Sequence, residues 1–423
     1  MTLPKGTIAS TLFFLLPLAL WFTYQPPTLD IATLGKILGV LGFAAFTYTL
    51  LLSVRVPFQE KIFGDLGNSY RFHQVIGTSA LMMLALHPVF LAWQYFAFSP
   101  KAAAMFLLPI GGDIPKTLGV LGLYLMTVCI ICTYYVKLPY HTWKTIHKFL
   151  AVAFALGALH SVLIIGDIQF MPALKVLFFL FFVAGVGAIL YRVLFNKIFV
   201  RRTQYVVASV NVINDTFVDV TLTPKEKPIT VMPGQFAYVT YTSGSVKTEE
   251  HPFSVASSKS DGTLRFISKK LGDFTNTLPN LQIGDTAMIE GPYGSFSFSQ
   301  GATTQCWIAG GIGITPFLAF AEALPYTHNA TLVYAIRNDQ ENAVAADLAR
   351  LKKAKPNLNV VIWNSEKQGY LTAKDALTGF DPANVDIFLC GPGGMVTAMR
   401  EQLFSLGIPH HHIHQEKFSM LPS

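Results

Sequence analysis

The chain has 423 residues, of which 52% are hydrophobic and only 13% are charged. Its mean hydropathy of +0.45 is too high for an ordinary soluble protein of this length, so we expect part of the chain to lie in a lipid bilayer. The formal net charge is +7, but the basic residues stand at the ends of apolar segments instead of forming one basic face, which excludes nucleic acid as the expected partner.

The first 200 residues contain six apolar stretches that are each long enough to cross a bilayer. A hydrocarbon core of about 30 Å requires roughly 20 helical residues. The stretches cover approximately residues 7–24, 31–54, 70–97, 116–137, 143–165 and 172–196. We therefore predict a six-helix transmembrane bundle over residues 1–200.

The charges of the short loops predict the orientation of this bundle. Basic residues are concentrated between the second and third stretches, near the junction of the fourth and fifth, and after the sixth. They are Arg55, Lys61, Arg71, Lys137, Lys144, Lys148, Lys197, Arg201 and Arg202. The opposite loops hold fewer, mainly Lys36, Lys101 and Lys116. By the positive-inside rule, we expect a multi-pass protein of the plasma membrane (the inner membrane of a bacterium) with both termini and the C-terminal half in the cytoplasm.

Four histidines lie inside two of the stretches, where an ionisable side chain is costly and usually functional. His73 and His87 are 14 residues apart in the third stretch, which in a straight helix gives about 21 Å of rise and about 40° between the two directions. His147 and His160 are 13 residues apart in the fifth stretch, with a matching rise of about 20 Å but directions about 140° apart.

The matched heights predict two levels, each with one imidazole from each helix. His73 and His147 form the cytoplasmic level and His87 and His160 the outer level, an arrangement suited to two haem irons. Twist of the fifth helix, or an adjustment at Gly157, must bring its two histidines into line, or the haems must approach that helix from different sides. The alternative interpretation is that all four are packed core histidines.

The pattern of apolar and polar residues changes after Arg202. Short alternating runs such as residues 205–210 and 217–222, separated by Pro and Gly turns, predict a small antiparallel barrel to about residue 300. Further on, continuous apolar strands alternate with helical stretches: Cys306–Ala309, Leu332–Ile336, Val360–Trp363 and Ile387–Cys390. This alternation is typical of a parallel-sheet nucleotide-binding domain.

Four short motifs occur in this half of the chain, and they are His251-Pro252-Phe253-Ser254, Gly291-Pro292-Tyr293-Gly294, Gly311-Ile312-Gly313-Ile314-Thr315-Pro316-Phe317 and Cys390-Gly391-Pro392-Gly393-Gly394-Met395. With the four membrane histidines, they make nearly the whole chain resemble the ferric reductase and NADPH oxidase superfamily, in a bacterial member. The resemblance implies a di-haem membrane domain over residues 1–200 and a ferredoxin-NADP reductase-like module. That module comprises an FAD-binding β-barrel over residues 201–300 and a NAD(P)H-binding α/β domain over residues 301–423.

The resemblance also implies which residues bind FAD. His251, Pro252 and Phe253 would pack on the cofactor, and Ser254 would reach the flavin ring. A second flavin motif contains Gly291, Pro292 and Gly294. A third segment, with Lys269, Gly272 and Thr275, resembles the one that offers charged and neutral donors to the pyrophosphate. Phe418 resembles the C-terminal aromatic residue that relatives place against the flavin, although five more residues follow it here.

The nucleotide site is implied by residues at the ends of predicted strands. Glycines between a strand and a helix let the backbone approach a pyrophosphate at the helix N-terminus, and the relevant residues are Gly310, Gly311, Gly313, Thr315 and Pro316. Cys390, followed by Gly391 and Pro392, resembles the family cysteine beside the nicotinamide. Arg337 follows a strand where relatives bind the adenosine end, and because a guanidinium can clamp a 2′-phosphate, we predict NADPH over NADH.

Together these parts imply an oxidoreductase. A flavin is required between a two-electron hydride donor and a one-electron haem iron, so electrons would pass from cytoplasmic NAD(P)H through FAD and two b-type haems to an extracytoplasmic acceptor. Oxygen, giving superoxide, is the favoured acceptor, and a ferric chelate or a periplasmic protein partner are the alternatives. Leu91 stands where animal oxidases of the family carry another histidine, one turn after the outer ligand of the third helix.

Overall fold

A computed structural model describes residues 5–24, 30–54, 59, 62–63, 66–96, 98–164, 170–195 and 202–417. The chain divides into two compact units, with the boundary between residues 199 and 200. Some of the residues singled out from the sequence lie outside the described ranges, and these are Arg55, Lys61, Lys197, Arg201 and Phe418.

The N-terminal unit is helical. Its described helices are α1 (Lys5–Tyr24), α2 (Ile31–Ser53), α3 (Leu66–Phe96), α4 (Pro100–Phe106), α5 (Ile114–Tyr134), α6 (Tyr140–Lys148), α7 (Leu150–Leu163) and α8 (Pro172–Leu190), the last continuing into a π-helical turn (Tyr191–Phe195). Six segments are long and apolar enough to cross a membrane, with α6 and α7 together forming the fifth. This confirms the predicted six-helix membrane bundle.

Polar caps fix where two of the membrane helices begin. The carboxylate of Asp30 accepts a hydrogen bond from the backbone N–H of Thr33 at 2.8 Å, at the start of α2. At the start of α5, Asp113 accepts one from the N–H of Lys116 at 3.0 Å. A carboxylate at this position satisfies a free helical N–H group and complements the helix dipole. These caps therefore determine the residue at which each of the two helices begins.

An aromatic cluster packs α2, α7 and α8 against one another. Phe43 stacks on Phe154 with ring centres 5.7 Å apart and meets Phe178 edge-on at 5.3 Å. Gly185 in α8 leaves the space that the Phe154 ring fills. In lipid, helices associate through close packing, and small residues permit it.

The fifth membrane segment is interrupted at Phe149. The N–H of Phe149 bonds to the carbonyl of Ile146 at 3.0 Å, three residues back, which tightens one turn between α6 and α7. A turn of this kind holds about three residues instead of 3.6, so it changes the direction in which later side chains point. The tightened turn therefore lies just after His147 and between the two histidines of this segment, and an adjustment at Gly157 stays a prediction.

The C-terminal unit begins with an antiparallel sheet. Its strands are β1 (Arg202–Ile213), β2 (Phe217–Pro224), β3 (Phe236–Thr242), β4 (Glu250–Ser254), β5 (Ser257–Ser258), β6 (Leu264–Lys269) and β7 (Thr286–Tyr293). They lie in the order β4-β3-β7-β1-β2-β6-β5. The start of β1 alternates between buried and partly exposed residues, as expected for a strand with one face in a core. The predicted antiparallel β-domain is confirmed.

A five-stranded parallel sheet follows. Its strands are β8 (Thr304–Gly310), β9 (Asn329–Ile336), β10 (Leu358–Asn364), β11 (Asp386–Gly391) and β12 (Ile413–Lys417), and the helices of this part are α9 (Thr315–Ala323), α10 (Ala345–Ala354), α11 (Ser365–Gln368), α12 (Ala373–Ala376) and α13 (Gly393–Ser405). The strand order is β10-β9-β8-β11-β12. It reverses between β8 and β11, and ligands of open α/β sheets bind outside the carboxyl ends of the strands at such a point.

An ion-pair network joins the antiparallel sheet to the parallel-sheet part. Arg265 on β6 donates hydrogen bonds to both oxygens of Asp347 on α10, each at 2.9 Å, and at 2.7 Å to Asp219 on β2. Ser257 donates to Glu322 on α9 at 2.6 Å. Two-pronged Arg–carboxylate pairs fix geometry as well as distance, so the network holds the two sheets in one arrangement.

Candidate redox sites

The inner histidine pair joins α3 and α6. The ring centres of His73 and His147 are 6.2 Å apart, and Nδ1 of His73 is 2.9 Å from the carbonyl oxygen of Thr49. His147 stacks on Trp143 at 5.3 Å, and its Nδ1 has no hydrogen-bond partner within the described part of the chain. The structure thus brings together the two residues that the sequence predicts at this level.

The outer pair joins α3 and α7. The ring centres of His87 and His160 are 6.5 Å apart. Nδ1 of His87 is 2.8 Å from the carbonyl oxygen of Gly35, and Nδ1 of His160 is 2.8 Å from that of Pro115. Both rings at this level are therefore held by helix backbone.

Both pairs fit one haem iron each. An imidazole nitrogen lies about 2 Å from a bound metal ion and about 1 Å from its own ring centre, so two axial imidazoles have centres roughly 6 Å apart. The measured separations of 6.2 and 6.5 Å match that distance. For His73, His87 and His160, donation from Nδ1–H to a carbonyl leaves the lone pair of Nε2 for a metal.

The first flavin motif lies on strand β4 and ends in a buried serine. Ser254 is 6% exposed, and among the described residues its Oγ has no hydrogen-bond partner. Buried hydroxyl groups are normally hydrogen-bonded, and an exception requires an explanation. A ligand that accepts or donates at this hydroxyl, as a flavin ring does, provides one.

Aromatic rings surround the same strand. The His251 ring stacks on Phe274 with centres 3.9 Å apart, and Phe253 lies parallel to Phe274 at 6.4 Å. Nε2 of His251 is 3.0 Å from a carboxylate oxygen of Glu249. Pro252 between them is exposed. This stacked surface fits the flat rings of a dinucleotide cofactor.

The second flavin motif ends strand β7, on the other side of β3 from β4. Gly291 and Gly294 have φ angles of 137° and 97°, a region that favours glycine, and Pro292 lies between them. The side chain of Gln235 donates to the carbonyl of Gly294 at 3.2 Å. Both motifs thus flank one strand.

The third FAD segment has contacts that the sequence did not indicate. Nζ of Lys269 is 3.3 Å from Glu341 in the parallel-sheet part and 5.7 Å from the ring centre of Phe217. Oγ1 of Thr275 accepts hydrogen bonds from the N–H groups of Leu271 at 2.9 Å and Gly272 at 3.1 Å. Contact of Lys269, Gly272 and Thr275 with the FAD pyrophosphate stays a prediction.

The glycine loop lies at the reversal point of the parallel sheet. Gly313 abuts the backbone carbonyl of Cys390, and a Cβ added to Gly391 would lie 3.1 Å from the backbone N of Gly310. Gly311 has a φ of 51°. The chain passes from this loop into α9, whose first residues are Thr315 and Pro316, followed by Phe317. The backbones at the carboxyl ends of β8 and β11 thus lie in close contact with each other. This is the place in the sheet where a dinucleotide is expected to bind.

Cys390 is 1% exposed at the end of β11. Burial, together with the nearby Glu416 carboxylate, holds the pKa of its thiol well above the usual value, so the thiol stays neutral. On the neighbouring strand, Glu416 is level with Cys390 and Lys417 with Gly391. Phe418 is the next residue and lies outside the described chain, so its place against a flavin stays a prediction.

Arg337 directly follows β9 and is paired. Its Nε is 3.3 Å from a carboxylate oxygen of Glu366, and the Arg337 side chain is 75% exposed. The side-chain amide of Asn338 also donates to Glu366 at 3.3 Å. No motif in the sequence points to Glu366, or to the carbonyls of Gly35, Thr49 and Pro115 that hold the histidines. The sequence signal for these carbonyls is the regular spacing of glycines in α2 and α5.

Comparison with known families covers all three parts of the chain. A family model for the ferric reductase-like transmembrane component matches residues 38–158. An FAD-binding domain model matches residues 202–297, and an oxidoreductase NAD-binding domain model matches residues 307–401. The chain belongs to the ferric reductase and NADPH oxidase superfamily. This superfamily member therefore combines a membrane component with FAD- and NAD-binding domains.

Individual relatives share part of the chain. Flavohemoprotein A of Dictyostelium discoideum is 29% identical over 218 residues, which cover 46% of this chain and 54% of that protein. NADH-cytochrome b5 reductase 1 of Laccaria bicolor is 32% identical over 154 residues, covering 33% and 50% respectively. The superfamily member thus spans about half the length of these curated relatives.

One of the similar solved structures matches most of the chain. The flavohemoglobin of Malassezia yamatoensis, solved with bound FAD and haem, superposes with a TM-score of 0.51 at 20% identity, over 82% of this chain and 98% of that one. At this identity the likeness shows the fold alone.

Proposed function

We propose that the chain is a transmembrane oxidoreductase that passes electrons from cytoplasmic NAD(P)H, through FAD and two b-type haems, to an acceptor on the far side of the membrane. The observation that carries the proposal is the presence of two imidazole pairs with ring centres 6.2 and 6.5 Å apart, on the same two membrane segments. A chance pair of core histidines has no reason to repeat at this spacing.

Each part of the chain has one task in this proposal. Residues 1–200 hold the haems, residues 201–300 hold FAD and residues 301–423 bind NAD(P)H. FAD supplies the conversion between hydride and single electrons, which haem irons then accept one at a time. The excess of basic residues in the loops after the second, fourth and sixth helices supports a cytoplasmic position for both termini, in a plasma membrane.

Protein groups at the flavin site would orient the reactants. Oγ of Ser254, which has no hydrogen-bond partner among the described residues, can form a hydrogen bond with the flavin ring, and His251 and Phe253, which both stack on Phe274, offer a flat surface. The neutral thiol of Cys390 can seat the nicotinamide without introducing a charge. Phe418, one residue after β12, would cover the flavin until the nicotinamide takes its place.

Two helix levels would set the path of the electrons. His73 and His147 would hold the inner haem and His87 and His160 the outer haem, about 20 Å apart along α3. His73, His87 and His160 each direct Nδ1 at a backbone carbonyl, which leaves Nε2 as the ligand atom. In this arrangement two imidazoles of the chain would hold each haem.

We propose oxygen as the acceptor, with superoxide as the product. The haem that His87 and His160 would hold would supply the electron that reduces oxygen. Leu91 lies one turn after His87, where animal oxidases of the family carry another histidine. The absence of that histidine favours a ferric chelate as the second candidate acceptor. A periplasmic protein partner is the third candidate acceptor, and the experiment below tests it as well.

The visible spectrum of the purified protein tests the haem content, and NADPH oxidation tests the acceptor. We expect two low-spin haems per chain and reduction of cytochrome c that superoxide dismutase suppresses. Slow oxidation in air that ferric citrate accelerates would assign the ferric reductase activity instead. Turnover only with an added periplasmic extract would assign a protein acceptor. A wild-type protein that binds FAD but no haem would contradict the proposal.

A further inference from the structure

The two outer histidines make the same pair of contacts with two different helices. Nδ1 of His87 bonds to the carbonyl of Gly35 in α2, and its ring lies against Gly39, one helical turn later. Nδ1 of His160 bonds to the carbonyl of Pro115 in α5, and its ring lies against Gly119, again one turn later. In both cases, the acceptor carbonyl and the glycine are four residues apart on one helix face.

Neither glycine leaves room for a side chain. A Cβ added to Gly39 would lie 2.7 Å from Nδ1 and 2.8 Å from Cε1 of His87. A Cβ added to Gly119 would lie 2.8 Å from Nδ1 and 2.9 Å from Cγ of His160. Since non-bonded carbon atoms pack at about 3.5–4.0 Å, either ring would have to move by most of an ångström. Such a movement breaks the bond from Nδ1 to the carbonyl.

The inner level lacks this arrangement. His73 also bonds to a carbonyl of α2, that of Thr49, but the residue one turn after Thr49 is Ser53. His147 has no hydrogen-bond partner for Nδ1 among the described residues. The close contact of imidazole, carbonyl and glycine therefore belongs to the outer level.

We propose that Gly39 and Gly119 are positioning residues for the two axial ligands of the outer haem. Each lets a helix backbone approach an imidazole closely enough for Nδ1–H to bond to the carbonyl one turn earlier. That bond fixes the ring orientation and the tautomer and makes Nε2 a stronger donor to the iron. This inference rests on the proposed function only in requiring an outer haem between His87 and His160.

The test compares Gly39→Ala and Gly119→Ala with Gly157→Ala in the full-length chain. Gly157 is on α7 together with His160, and a Cβ added to it meets no atom within 4 Å, so it is a matched control. Alanine is the better helix former, which means that a helix without the proposed contact should tolerate all three changes. Haem per chain, the midpoint potential of each haem and the electron paramagnetic resonance signals of the ferric form are measured.

We expect Gly39→Ala and Gly119→Ala each to lose the outer haem, or to keep it with a raised midpoint potential and an altered ferric signal. The inner haem should be unchanged in both, which shows that the bundle is folded, and Gly157→Ala should match the wild type. Two haems with wild-type potentials and signals in both variants would overturn the inference, as would equal damage to both haems. A wild-type chain without haem would instead contradict the proposed function.

Discussion

The carboxylate of Glu366 lies 3.3 Å from Nε of Arg337, and both side chains are more than half exposed. Arg337 directly follows β9 and Glu366 lies in α11, just after the neighbouring strand β10, at the end of the sheet where the adenosine of a dinucleotide binds in sheets of this kind. A guanidinium at that place can clamp a 2′-phosphate, whereas a carboxylate can accept hydrogen bonds from a ribose 2′-hydroxyl. In the proposed nucleotide site, NADPH would therefore compete with Glu366 for Arg337.

Substitution of the two residues should change coenzyme preference in opposite directions. Arg337→Ala should raise the KM for NADPH more than that for NADH, and Glu366→Gln should lower the KM for NADPH, because the guanidinium is then free. Steady-state kinetics with both coenzymes measure the ratio. Equal effects on NADPH and NADH in the Arg337→Ala protein would show that this arginine does not contact the 2′-phosphate.

Loss of the Ser254 hydroxyl should weaken flavin binding or slow hydride transfer. One hydrogen bond contributes about 0.5–1.5 kcal/mol, so we expect up to roughly a tenfold change in Ser254→Ala. Haem content should not change. The exposed Ser299 provides the control variant, Ser299→Ala. Titration with FAD and stopped-flow reduction of the flavin by NADPH make the measurement, and identical values in the three proteins would place the flavin elsewhere.

Arg265 should be the most sensitive charged residue of the C-terminal unit. Its partners Asp219 and Asp347 are largely buried, and removal of one member of a buried ion pair costs about 3 kcal/mol or more. Arg265→Gln should thus lower the temperature at which flavin is released. Arg350→Gln should change it little, because Arg350 is 55% exposed and such pairs contribute at most about 1 kcal/mol. Equal shifts in both variants would contradict the network.

The same network predicts a dependence of stability on pH. Burial raises the pKa of Asp347, but hydrogen bonds from Arg265 and the attraction of its charge outweigh burial and lower the pKa below 3.8. A lowered carboxyl pKa contributes stability that is present above the unfolded value and is lost as the pH falls through the folded value. Wild-type stability should therefore fall below about pH 4 more steeply than that of Arg265→Gln.

Cys390 should act as a neutral group. Burial and Glu416 raise the pKa of its thiol, so the folded state favours the protonated form. The stability that this thiol contributes is therefore present at low pH and is lost as the pH rises above the ordinary pKa near 9. Hydride transfer should then show no thiol titration between pH 6 and 8.5. Cys390→Ser, which keeps a neutral polar group, should retain more activity than Cys390→Ala. A rate that follows a pKa in this range in the wild type, and loses it in Cys390→Ser, would contradict a neutral thiol.

The sequence predicted those features that depend on local pattern. Apolar length located the membrane helices, and a constant rise per residue located the two histidine levels. The turn at Phe149 was not predictable, because no Pro or Gly stands there and packing sets it. Lys269 and Arg337 were assigned to cofactor phosphates without knowledge of Glu341 and Glu366. Such pairs join residues far apart in sequence, which a pattern in one segment does not reveal.

His147→Ala separates the early part of the proposed relay. This change removes one axial ligand of the inner haem, which lies between the flavin and the outer haem in the proposed order. Any outer haem that remains should then not be reduced by NADPH, although dithionite should still reduce it. The measurement is the absorbance of reduced haem after NADPH and then dithionite. Full reduction by NADPH in this variant would mean that electrons bypass the inner level.

His160→Ala tests the central claim most directly, since its ring pairs with His87 at the outer level. Proteoliposomes carrying this variant, with His411→Ala at an exposed histidine as control, are supplied with NADPH on the flavin side and an acceptor on the other. We predict that haem falls from two towards one per chain, that transmembrane electron flow stops, and that reduction of soluble dyes by NADPH continues. A His160→Ala protein with two normal haems and full transmembrane electron flow would contradict the account.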